Sequence, residues 1–104
     1  MEYNKLVRDK IPEIIINKGG IPVTHIANQK EYEEALKRKL FEEANEFLDN
    51  PSIEEVADIL EVMRAICDLK NINLDNLEEI RQKKAKERGG FKLRIILDRT
   101  EKDY

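Results

Sequence analysis

Cysteine and histidine are nearly absent from this chain. Cys67 is the only cysteine and His25 the only histidine. A lone cysteine closes no internal disulfide, which fits a reducing compartment. One Cys and one His also fall short of the ligand set that a zinc site needs. They supply no Ser-His-Asp or Cys-His arrangement for nucleophilic catalysis either. His25 reads as a surface or strand residue, whereas Cys67 continues an apolar helical stripe and reads as core. Long apolar runs are missing as well, so no segment is expected to span or anchor in a membrane. The opening Met1–Lys10 stretch has no signal-peptide core, and a cytoplasmic location is expected. Positive charge is not in excess: 19 Lys and Arg stand against 22 Asp and Glu, a net charge of -3. A nucleic acid polymer is therefore not an expected partner.

What the chain does have is charge of both signs and a modest apolar share. Charged residues make up 39% and apolar residues 40% of its 104 positions. The charged share exceeds the roughly 25% of ordinary soluble domains, and the apolar share suffices for a small core. One domain spanning residues 1–104 is expected at this length.

The few glycines and prolines cut the chain into segments. Pro12 suits the first turn of a short helix through Ile14, Ile15 and Ile16, which stops at Gly19-Gly20. Ile21–Ile26 carries β-branched residues and reads as extended. From Gln29 to Leu48, Tyr32, Leu36, Leu40, Ala44, Phe47 and Leu48 recur at helical steps. Asp49-Asn50-Pro51 breaks that helix. Ser52 with Glu55 forms a capping-box start for the next. Its stripe is Ile53, Val56, Ala57, Leu60, Met63 and Cys67, widened by Ile59 and Ile66. Asp75 is the expected N-cap of a last helix through Leu77, Ile80 and Ala85, which Gly89-Gly90 ends. Phe91–Leu97 reads as a strand or an extended tail. The expected fold is all-α: a bundle of about four helices whose central pair, joined by a short loop, is antiparallel, with short extended segments near residues 21–26 and 91–97.

Chemistry concentrates on the central pair. The first of these helices carries Glu42-Glu43-Ala44-Asn45-Glu46 and the second Glu55-Val56-Ala57-Asp58. Carboxylates three positions apart share a helix face, and the tight turn brings the two sets level. Glu43 lies between Leu36 and Phe47 on the helical wheel, and Glu55 beside Ile59, Val62 and Ile66. Both therefore sit at the edge of a buried stripe, where an ionised carboxylate without a partner is costly. Lys39 is a single positive charge among several negative ones. A divalent cation resolves the conflict, and an all-oxygen set suits Mg²⁺, with Mn²⁺ as a substitute. The competing reading is solvated helix surface, which an acid-rich chain yields readily. Glu54 and Glu61 point away from the cleft and are assigned to solvent.

These acidic motifs resemble those of the all-α nucleoside triphosphate pyrophosphohydrolases of the MazG-like superfamily, whose signature is Glu-Glu-x-x-Glu followed by Glu-x-x-Asp. The stretch Lys39–Glu46 is also similar to the phosphoribosyl-ATP pyrophosphohydrolase branch. The flanks Lys5-Leu6-Val7-Arg8-Asp9-Lys10-Ile11-Pro12 and Arg88-Gly89-Gly90-Phe91 extend the resemblance over nearly the whole chain, although the gap between the acidic motifs is at the short end. The resemblance implies Mg²⁺-dependent cleavage between the α- and β-phosphates of a nucleotide, giving a nucleoside monophosphate and pyrophosphate. By motif position Glu43, Glu46, Glu55 and Asp58 are the metal ligands. Glu42 and Glu43 are the catalytic members, with Glu42 either orienting water or supporting a second ion.

Basic residues offer contacts for the phosphates. Arg81, Lys84 and Arg88 share one face of the last helix and read either as a cationic arm or as a solvated helix end favoured by the helix dipole. Lys39, Lys5 and Arg8 are further candidates, with Lys10 beside them, while Asp9 could engage its neighbours in an internal ion pair. A small four-helix core leaves apolar positions exposed, so a homo-oligomer, dimer or tetramer, is expected. In relatives of the resembled kind a neighbouring subunit often completes the pocket, so the basic arm could act in cis or in trans. The expected function is housekeeping removal of unwanted nucleotides. The alternatives are phosphoribosyl-ATP hydrolysis in histidine biosynthesis and a non-catalytic helical interaction module.

Overall fold

The computed structural model describes residues 4–102. It is all-helical: α1 Ile11–Asn17, α2 Gln29–Asp49, α3 Ile53–Leu69 and α4 Leu77–Arg88, with a 3-10 turn at Leu74–Asn76. No strand forms among the described residues. The chain divides into two compact units, residues 1–72 and 73–104. Among the described residues no helix is long and apolar enough to cross a membrane.

In the first unit the helix limits follow from local chemistry. Pro12 sits in the first turn of α1, where a missing N–H costs nothing. Gly19 ends that helix at φ 88, a backbone conformation that suits glycine. The Gly20 amide then bonds back to the Ile15 carbonyl at 2.9 Å. Any Cβ at Gly20 would lie 2.7 Å from Ile15 Cγ2, so the approach requires the absence of a side chain. Residues 21–28 follow without regular structure. Asn28 caps α2, its side chain accepting from the Glu31 amide at 2.9 Å. Ser52 caps α3, its hydroxyl accepting from the Glu55 amide at 3.2 Å, as the sequence motif implies.

Only Asn50, Pro51 and Ser52 connect α2 to α3. The pair is antiparallel: Lys70, just past the end of α3, bonds the carboxylate of Glu33 in the second turn of α2. The core lies between these helices and is thin, with Ala35, Leu36, Val62 and Cys67 as its buried apolar members. Here the structure revises the expected stripe of α3. Ile53, Val56, Leu60 and Met63 face outward, and the covered side runs through Ile59, Val62 and Ile66. Helix α3 is apolar around much of its circumference, and α2 covers one side of it. Leu48 of α2 is likewise exposed.

The second unit begins with a correction. The Asn73 side chain, not that of Asp75, caps the turn, accepting from the Asp75 amide at 2.8 Å. Asp75 lies inside the 3-10 turn that leads into α4. Every residue of α4 is exposed. Gly89 ends the helix at φ 84, its amide bonded to Ala85 O at 2.8 Å. Beyond it, Arg94 adopts φ 58 and its amide bonds Phe91 O at 3.1 Å, so the segment turns where a strand was one expectation.

Candidate metal centre

Three carboxylates converge where the hairpin folds back. Oxygens of Glu43 from α2 and of Glu55 and Asp58 from α3 all lie within 4.8 Å of one another. Local chemistry sets this placement. The Ser52 cap fixes where α3 begins, the spacing of Glu55 and Asp58 puts both on one face, and the short connection holds that face against α2. Glu43 is the buried polar residue of the core, with its side chain only 9% exposed.

One oxygen of Glu43, Oε2, and one of Glu55, Oε2, are buried with no hydrogen-bond partner. Buried carboxylate oxygens are normally satisfied, and leaving one bare is costly. The electrostatics agree. The Glu43 carboxyl is raised above its ordinary value first by burial and then by Glu46, against the pull of Lys39. Glu55 is raised first by burial and then by the charges of Glu46, Glu43 and Asp58. These acids crowd one another, and Glu46 belongs to the crowd electrostatically although it is exposed and outside the three whose oxygens draw closest.

Three cations stand beside these acids and the neighbouring Glu42. Lys39 Nζ stands 3.4 Å from Glu43 Oε1 and 3.8 Å from Glu42 Oε2. Lys5 Nζ stands 3.7 Å from Glu42 Oε1. Arg8 donates to Asp58 Oδ1 at 2.7 Å. The pairing of Lys39 with Glu43 is legible from its four-residue helical spacing. That of Arg8 with Asp58 joins positions fifty residues apart, and no local pattern announces it. Glu54 and Glu61 are exposed.

The residues present fit a hard divalent cation. The donors are all oxygen, and two of the available oxygens have no competing donor. Opposite ligands around Mg²⁺ lie about 4.2 Å apart, so the cluster's spread is close to what such an ion would draw together. Glu43, Glu55 and Asp58 are the residues that could hold it, with Glu46 adjacent.

The basic residues of α4 belong to the second unit and have their own environment. Arg81 donates through Nε to Glu78 Oε2 at 2.9 Å and through an outer nitrogen to Glu78 Oε1 at 2.5 Å. With further help from Gln82, it lowers the Glu78 carboxyl to about 2. Lys84 and Arg88 are exposed on the same helix. In the first unit, His25 is also exposed, its Nε2 lying 3.0 Å from both carboxylate oxygens of Glu31, and Cys67 is buried in the core. Comparison with protein-family models, curated proteins and solved structures found no match for the chain.

Proposed function

We propose that this protein is a Mg²⁺-dependent nucleotide pyrophosphohydrolase of the MazG-like kind, cleaving nucleoside triphosphates between the α- and β-phosphates. The observation that carries the reading is the buried pair of unpartnered carboxylate oxygens, on Glu43 and Glu55, within a three-carboxylate cluster. A solvated acidic surface would not bury them. The sequence resemblance supplies the reaction, and the cluster supplies a setting in which that reaction makes physical sense.

Glu43, Glu55 and Asp58 hold Mg²⁺ in this reading, with Glu46 joining from α2. The bound ion supplies charge neutralisation at the phosphate oxygens and a more acidic water. Glu42, at the edge of the cluster, orients the attacking water. Glu43, beside the ion, would be the second catalytic carboxylate of this reading. One water adds to phosphorus, the bridging P–O bond breaks, and a nucleoside monophosphate and pyrophosphate leave. Lys39 and Lys5 are placed to meet phosphate charge beside Glu42. Arg81, Lys84 and Arg88 belong to the second unit, where Arg81 is engaged by Glu78.

Self-association is part of the proposal. Ile53, Val56, Leu60 and Met63 form an outward apolar stripe on α3, and Phe41 and Leu48 of α2 are exposed as well. A second copy of the chain is its proposed cover.

The test is turnover. The purified protein is incubated with a panel of nucleoside triphosphates and Mg²⁺, and monophosphate and pyrophosphate are quantified. Formation of both products, abolished by chelation and by Glu43→Gln, supports the proposal. Absence of product from every nucleotide, or release of orthophosphate instead of pyrophosphate, refutes it.

A further inference from the structure

We infer that Arg8 is the positioning residue of the carboxylate cluster: it holds one oxygen of Asp58, Oδ1, and leaves the other, Oδ2, for the cation. The inference rests on the divalent-cation reading and gives Arg8, a candidate phosphate contact by sequence, a place on Asp58 instead. Arg8 lies outside α2 and α3, in the segment that leads into α1. Its own backbone is fixed, because the Arg8 carbonyl accepts from the Ile11 amide at 3.0 Å where α1 begins. From that anchored position its guanidinium reaches Asp58 Oδ1 at 2.7 Å.

The same pattern recurs on Glu43. Lys39 stands 3.4 Å from Glu43 Oε1, and Glu43 Oε2 is buried without a donor. Asp58 and Glu43 thus each have one oxygen beside a cation. A carboxylate offers acceptor sites on both oxygens, so commitment of one orients the other without consuming it. Partners of this kind around metal ligands typically set 10–100-fold in metal affinity.

Arg8 could instead compete with the cation, since its charge repels a second positive ion. Geometry favours the positioning role. The Arg8 side chain is 56% exposed, so its through-space repulsion is screened by water and salt. The bond it makes is short and local, and screening does not remove its orienting effect. The two roles predict opposite signs for the change in metal affinity when Arg8 is replaced.

The experiment is a titration of Mn²⁺ into nucleotide-free protein, read by electron paramagnetic resonance of the free and bound ion. Arg8→Gln is expected to weaken Mn²⁺ binding by about ten-fold or more and to alter the bound-ion spectrum. Arg8→Lys is expected to recover part of the loss, because a point charge reaches the oxygen but lacks the planar fork. In an Asp58→Asn background, Arg8→Gln is expected to add nothing. Arg8→Lys also carries the test alone if Arg8→Gln does not fold: it must bind Mn²⁺ more weakly than the native chain. Unchanged or tighter binding by Arg8→Gln overturns the assignment, as does an equal loss in the Asp58→Asn background. Failure of the native chain to bind Mn²⁺ overturns the metal-centre reading itself, whereas native binding with Arg8→Gln unaffected overturns only the role of Arg8.

Discussion

Glu43 and Glu55 face each other from two different helices, and each buries an oxygen that no donor reaches. In the metal-free protein this is a destabilising arrangement. Both carboxyls are raised above 4.5, in each case first by burial and then by neighbouring carboxylates. An acid raised in this way takes up its proton in the folded chain at a pH where the unfolded chain is still ionised. Its contribution to stability is therefore fully present below 4.5 and is lost as pH rises through the raised folded value.

The first prediction follows from that sign. Metal-free Glu43→Gln melts higher than the native chain at neutral pH, by about 4–8 °C for each kcal/mol relieved. The gap narrows as pH falls through the raised folded value and closes below 4.5, where Glu43 is neutral in both states. Glu33 and Glu78, lowered chiefly by hydrogen bonds from Lys70 and Arg81, act in the opposite sense and in a separate window, below 4.5. Calorimetric melting across pH checks the prediction. A Glu43→Gln protein less stable than the native chain at neutral pH would mean that the native carboxylate is not strained.

The second prediction concerns the ion. Mg²⁺ or Mn²⁺ raises the melting temperature of the native chain, with a gain of about 2.7 kcal/mol once the free ion reaches about 100 times its Kd. Glu55→Gln loses that shift. Glu54→Gln, one position away and exposed, keeps it. Equal shifts in the two variants would assign the effect to general screening of an acidic surface.

How much of this was legible before any coordinates depends on the range of each interaction. Helix limits were readable because Pro12, Gly19-Gly20, Ser52 and Gly89 encode starts and stops within a few residues. The meeting of Glu43 with Glu55 and Asp58 was also readable, since helical spacing and a very short turn leave little freedom. The cap at Asn73 in place of Asp75 is hard to see locally, because Asn73, two positions earlier, starts a 3-10 turn first. The outward stripe of α3 has no signature on a helical wheel, because a wheel cannot say which side of a broadly apolar helix its neighbour covers. The bond from Arg8 to Asp58 joins distant positions and leaves no periodic trace.

A third prediction tests the core. Leu36 is 2% exposed, the most completely covered apolar side chain of α2. Leu36→Ala is expected to cost about 2–5 kcal/mol, through lost transfer energy and the cavity left behind. Leu48→Ala, on an exposed position of the same helix, changes stability of the isolated chain by about 0.5 kcal/mol or less. Chemical denaturation followed by circular dichroism separates the two. Equal losses would place the hairpin's core elsewhere.

The fourth prediction concerns what covers α3. Ile53, Val56, Leu60 and Met63 repeat at three- and four-residue steps and all face outward, with Leu60 58% exposed. That spacing is a continuous stripe of the kind that packs against a second helix. The native chain is therefore expected to sediment as a dimer or larger species and to melt at a temperature that rises with protein concentration. Leu60→Glu places a charge in the middle of the stripe, where pairing would bury it without a partner. The variant should sediment as a single chain, retain its helical circular dichroism and lose the concentration dependence. Because Leu60 is exposed and is not one of the clustered carboxylates, Mn²⁺ binding by the separated chain tells whether the metal centre needs the second copy. A native chain that sediments as a monomer at micromolar concentration would leave the stripe to some other partner and refute the self-association.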